Sequence, residues 1–140
     1  MVRKPLMGGI VGASVLLLVL SGCDIFTTDS GRPDKARLTL DQSDSPSLEV
    51  STSLNFIVTE GQTLNFQDFS VDTVSVPFDQ TYEIAQYLRF YVKATNILSE
   101  PATFRMRLTI DGKSWLNEQL TLDPEETAEF VYRYQEPFIY

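Results

Sequence analysis

From Ala36 onward, apolar residues recur at every second position, and this pattern constrains the fold more than any other feature of the sequence. Leu38 and Leu40 alternate with Arg37, Thr39 and Asp41. Leu48 and Val50, with Leu54 and Phe56, form a second run; Leu64 and Phe66, then Val71, Val74 and Val76, form a third. Leu88, Phe90, Val92 and Ala94 alternate with Tyr87, Arg89, Tyr91, Lys93 and Thr95. Phe104, Met106, Leu108 and Ile110 alternate with Thr103, Arg105, Arg107 and Thr109. Leu116, Leu120 and Leu122 follow, then Ala128, Phe130, Tyr132 and Tyr134. Successive side chains of a strand point to opposite faces, so each run buries one face and wets the other. Six or seven such runs predict an all-β fold, an antiparallel sandwich of about seven strands over residues 35–140.

The turns agree with this reading. Asp111-Gly112 lies between two alternating runs, and a type I′ hairpin turn needs positive φ at both of its central residues. Asp123-Pro124-Glu125-Glu126 reads as a turn before the last strand, and Asn96 to Pro101 as a longer connection. No segment carries a helical stripe, although Gln80–Gln86 would allow one helical turn before a strand beginning at Tyr87.

The first residues follow other rules. Arg3 and Lys4 precede an uncharged run from Leu6 to Leu20 that ends in Val15-Leu16-Leu17-Leu18-Val19-Leu20. That run suits the apolar core of a secretion signal and is short for a membrane span of about 20 residues. It closes on Leu20-Ser21-Gly22-Cys23, which resembles the lipobox of bacterial lipoproteins at all four positions. The resemblance implies removal of residues 1–22, with Leu20, Ser21 and Gly22 recognised by the signal peptidase, and acylation of Cys23. It places the protein in the bacterial cell envelope, outside the cytoplasm and lipid-anchored to a membrane, inner or outer. Asp24 resembles the enteric signal for inner-membrane retention, or is a solvated tether residue. Cys23 is the single cysteine of the chain, so no disulfide competes for it. Each buried CH₂ of an acyl chain contributes about 0.8 kcal/mol to anchoring, so two or three chains hold firmly.

Residues 23–34 comprise that cysteine and a flexible tether rich in Asp, Ser, Thr, Gly and Pro. Eleven such residues span about 20 Å as a coil and at most about 40 Å when extended. Ile25 and Phe26 either remain in the tether or dip into the membrane interface. Loss of Arg3 and Lys4 with the leader takes the net charge from −8 to −10. Such acidity opposes nucleic acid and anionic headgroups as partners.

The stretch from Leu88 to Tyr134 resembles the CARDB-type module, a cell-adhesion-related immunoglobulin-like domain of bacteria. The shared elements are Val92-Lys93-Ala94-Thr95-Asn96, the strand Phe104–Ile110, the Asp111-Gly112 hairpin, Leu122-Asp123-Pro124-Glu125-Glu126, and a last strand over 127–134. The chain departs from that family twice: it lacks the glycine that follows the asparagine, and Glu125 stands where the family has glycine. The resemblance implies an immunoglobulin-like topology for the sandwich and says little of function, because this fold hosts many roles.

The chain contains no histidine. This removes the commonest general base and metal ligand, and with Cys23 acylated no usual zinc or thiolate site remains. Asp41 and Asp44 lack the spacing of a calcium loop and read as a polar turn. Glu125-Glu126 reads as a solvated turn rather than a glycosidase carboxylate pair. The expectation is a non-enzymatic protein with no cofactor beyond its lipid.

One surface is a candidate for partner binding. Tyr87, Arg89, Tyr91 and Lys93 share the outward face of one strand, Arg105 and Arg107 that of another, and Arg133 that of the last. If these strands lie in one sheet, cations and tyrosines gather on one face, a composition enriched in contact patches. Otherwise the long side chains cover the outside of a sheet and pair with carboxylates such as Glu129. The sequence thus reads as a lipid-anchored module that binds or scaffolds an envelope protein. The alternative is a surface carbohydrate-binding or adhesion module that stacks sugars on Tyr87, Tyr91 or Trp115. The aromatic tail Phe138-Ile139-Tyr140 either packs back on the domain or docks onto a partner.

Overall fold

A computed structural model describes residues 31–42 and 46–135. The lipobox residues Leu20, Ser21, Gly22 and Cys23, with Asp24, Ile25, Phe26, Asp44 and the tail from Glu136 to Tyr140, lie outside the described residues.

The described residues form ten strands: β1 (Lys35–Asp41), β2 (Ser47–Ser53), β3 (Phe56–Val58), β4 (Leu64–Phe66), β5 (Ser70–Ser75), β6 (Phe78–Glu83), β7 (Arg89–Asn96), β8 (Ala102–Ile110), β9 (Lys113–Leu122) and β10 (Thr127–Arg133). All pairings are antiparallel. Sheet A has the order β6-β1-β8-β9, sheet B the order β10-β7-β2-β5, and β3-β4 is a separate hairpin. The fold is therefore the antiparallel β-sandwich that the alternation predicts, with ten strands instead of about seven. Neighbours β1 and β6 in one sheet and β2 and β7 in the other reproduce the B–E and C–F adjacencies of the immunoglobulin arrangement. β8, rather than an N-terminal strand, takes the other side of β1.

The core lies between the inner faces. Leu38, Leu40, Phe104, Met106 and Leu108 from sheet A meet Leu48, Val50, Phe90, Val92 and Ala94 from sheet B, all buried. Each fully buried aliphatic or aromatic side chain stabilises by about 1.5–3 kcal/mol relative to exposure, so these two inner faces hold the sheets together. Val71 departs from the expected core. It is exposed, because on β5 only the residues in phase with Val74 face inward.

The predicted turns form. Asp111 and Gly112 both take positive φ and join β8 to β9 through a two-residue loop flanked by the pair Ile110↔Lys113. The Asp111 carboxylate accepts from the backbone N–H of Asp34 and Lys35, tying the hairpin to the start of β1. At Asp123-Pro124-Glu125-Glu126 the Glu126 N–H donates to the Asp123 carbonyl, and Glu125 takes φ of 64° at a position that glycine ordinarily fills.

Asn96 organises the same end of the sandwich. It is fully buried; its amide nitrogen donates to the carbonyls of Glu100 and Leu122, and its side-chain oxygen accepts from Leu98 N–H. One side chain thereby joins β7, the 97–101 connection and the end of β9.

One sequence expectation is corrected here. Phe78–Glu83 is strand β6, not part of a helical turn; the turn lies after it, where Leu88 N–H donates to the Ile84 carbonyl, and β7 begins at Arg89. Residues just ahead of β1 also contact the sandwich. Pro33 is buried, and the Asp34 carbonyl accepts from Ile84 N–H.

Candidate functional site

The two sheets end in four edge strands: β6 and β9 in sheet A, β10 and β5 in sheet B. On one side of the sandwich Trp115 of β9 lies against Tyr132 of β10, ring centroids 5.1 Å apart and nearly edge-to-face. On the other side β5 and β6 flank a groove of about 620 Å³. Its floor is apolar, formed by Val50, Leu54, Val74, Phe78 and Tyr82, and its rim carries Phe69, Gln80, Asp68 and Asp72. A concave, mostly apolar site of this size with a few polar groups has the form of a ligand or partner site.

Local alternation places these side chains. On β6, Phe78, Gln80 and Tyr82 point inward, whereas Asp79, Thr81 and Glu83 point out, where Asp79 pairs with Arg37 and Glu83 with Lys35. On β5, Ser70, Asp72 and Val74 line the groove, and the Ser70 hydroxyl donates to the Asp72 carboxylate. The Tyr82 ring stands 4.8 Å from Phe90, centroid to centroid, and burial pushes its phenol above the usual value despite a hydrogen bond with Thr52.

Asp68 closes one end of the groove. Its carboxylate accepts from the Ser53 hydroxyl and from the backbone N–H of Leu54 and Asn55. Partial desolvation raises its pKa, but these hydrogen bonds outweigh it, and the carboxyl sits below its ordinary value. Sequence reasoning missed this site. The signal was present in the period-2 order of Phe78, Gln80 and Tyr82, but a polar Gln80 between two aromatics reads equally well as a turn.

The expected Arg/Tyr face does not form as one surface. Arg105 and Arg107 lie on β8 in sheet A, whereas Arg89, Tyr91 and Lys93 lie on β7 and Arg133 on β10, in sheet B. The two sets therefore occupy opposite outer faces of the sandwich. Arg107 pairs with Asp41 at 2.7 Å, and Arg105 donates to Asn117. Lys93 stands opposite Glu129 in the β7–β10 register, and Arg89 opposite Arg133.

Tyr91 is only 3% exposed. The β3–β4 hairpin folds over it, and Phe56, Phe66 and Phe69 surround its ring at 4.6–6.4 Å between centroids. Its hydroxyl donates to Glu129, and burial, reinforced by Glu129, pushes the phenol far up. Arg89 secures the hairpin: one guanidinium nitrogen donates to the Phe56 carbonyl, another to the Tyr87 carbonyl, and the group lies 5.6 Å from the Phe56 ring centre. Tyr87 is half-buried beside it. Arg89 and Tyr91 are thus spent on a second small core, and Tyr91 is withdrawn from any sugar-stacking platform with Tyr87 or Trp115.

No family model, curated protein or solved structure matches this chain.

Proposed function

We propose that the chain is a lipid-anchored protein of the bacterial cell envelope, held by an acylated Cys23, whose non-catalytic β-sandwich binds a partner protein through the groove between β5 and β6. The lipobox after an apolar leader supports the anchor. The absence of histidine from the sequence and the lone cysteine support a binding role over a catalytic one. The observation that carries the binding site is the asymmetry of the sandwich: aromatic rings close one side, while the other keeps a 620 Å³ apolar groove beside two edge strands.

The test is site-specific photo-crosslinking in intact cells, with the photoreactive side chain at Gln80 in the groove or at Gln119 on the outer face of sheet A. The expected result is a discrete protein adduct from Gln80 and none from Gln119. Adducts from Gln119 alone would move the binding surface to sheet A.

A further inference from the structure

We infer that the occupant of the groove is an extended, cation-bearing segment of the partner protein, added to sheet B as a further strand along β5. This rests on the groove being the binding side and adds the chemistry of what it binds.

The backbone of β5 supplies the first argument. Among the described residues β5 pairs with β2 alone. Val76 N–H donates to the Pro46 carbonyl at 3.0 Å, which makes that opposed pair a hydrogen-bonded one. Such pairs recur every second residue along an antiparallel ladder, so Leu48↔Val74, Val50↔Asp72 and Thr52↔Ser70 continue the series. The N–H and C=O groups of Val71, Thr73 and Ser75 therefore point away from β2, toward the free edge. This is the hydrogen-bonding array that strand addition uses.

The side chains supply the second. A strand about 4.8 Å beyond β5 sends every second side chain into the space between the sheets, against Val74, Phe78 and Tyr82. The groove therefore selects an alternating segment with apolar residues on one face. β6 is the poorer template for a cationic segment, because its outward Asp79 and Glu83 are already paired with Arg37 and Lys35.

Charge supplies the third. Asp68 and Asp72 are the charged groups that line the groove, and residues 24–84 hold eleven acids against three bases. Asp68 is engaged by Ser53, Leu54 and Asn55, whereas the exposed Asp72 accepts from the Ser70 hydroxyl through Oδ2 and has Oδ1 to receive a lysine or arginine. A second copy of this chain brings another Asp72 and a like net charge to the same edge. An inward charge on an edge strand blocks such self-pairing while admitting a cationic segment.

The experiment keeps the full-length protein in its cells, with the photoreactive residue at Gln80, and adds Thr73→Ala, Thr73→Pro, Val71→Pro or Asp72→Lys. Proline removes an outward N–H and leaves the ladder to β2 intact. The expected result is an unchanged adduct in Thr73→Ala, a loss of at least tenfold in both proline variants and of at least threefold in Asp72→Lys. Protease resistance of each variant reports its folded amount, and yields are compared per folded molecule. The crosslinked partner peptide, mapped by mass spectrometry, is expected to contain lysine or arginine among alternating apolar residues. Adducts that survive both prolines, or that map to an acidic segment or to another copy of this chain, overturn strand addition and leave the groove as the binding side. No adduct from Gln80 in the parent overturns both.

Discussion

On one side of the sandwich β9 and β10 meet through Trp115 and Tyr132; on the other, β5 and β6 flank a groove. Both sides face the same problem, since the inner rows of two sheets must be shielded where the sheets end. On the β9–β10 side large rings supply the shield. On the β5–β6 side the inner rows carry Gln80 and Asp72, which neither fill the gap nor seek burial. The difference shows that the groove follows from residue choice and is not a general consequence of sandwich geometry. An apolar floor left open between polar rims stabilises the monomer less than a filled side does, and it leaves energy available for a partner.

The largest predicted effect is on the closed side. Tyr132→Ala removes a side chain that is 2% exposed and should lower unfolding free energy by about 3–4 kcal/mol, read as the midpoint of a urea transition. A cost below about 1 kcal/mol would mean that the two sides are not packed differently. Asn96→Ala comes next. It removes three side-chain hydrogen bonds at the end shared by both sides and should cost about 2–3 kcal/mol, with no preferential effect on the groove. Equal hydrogen-exchange gains in β5 and β10 amides would bear this out. Glu125→Gly should raise stability by about 0.5–1 kcal/mol, because it relieves a left-handed backbone that glycine adopts freely. A fall in thermal midpoint would show that the Glu125 side chain contributes more than its backbone costs.

The smallest effect is an acid-dependent one confined to the open side. Asp68 has a folded-state pKa below its ordinary 3.8, so the stability it contributes is fully present above that value. It is lost as pH falls through the folded-state value. Amide protection of Leu54 and Asn55 should therefore drop below about pH 4, while that of β10 holds. Asp68→Asn should abolish this difference.

Much of the sandwich was legible because period-2 alternation with one buried face is a local signal. Leu38, Leu40, Phe90, Val92, Phe104, Met106 and Leu108 are all buried as read. What escaped was non-local. Alternation says that Arg89 and Arg105 face outward; it does not say which sheet each strand joins, and the sheets differ. Tyr91 does lie on an outer face, but the three-residue strands β3 and β4, whose place in the fold alternation does not specify, fold over it. β6 escaped because an edge strand beside a groove needs no apolar residue at Gln80. The groove is thus hardest to read where it is most distinctive.

Phe69 and Trp115 are a matched pair across the two sides. They are 47% and 42% exposed, one on the rim of the groove and one on the closed side. Either alanine variant should cost a similar stability, about 1 kcal/mol. The decisive measurement is adduct yield from Gln80 in the two variants, normalised to folded protein. The expected result is a loss of at least fivefold in Phe69→Ala and an unchanged yield in Trp115→Ala. Equal yields in both, or a loss confined to Trp115→Ala, would contradict the assignment of binding to the open side.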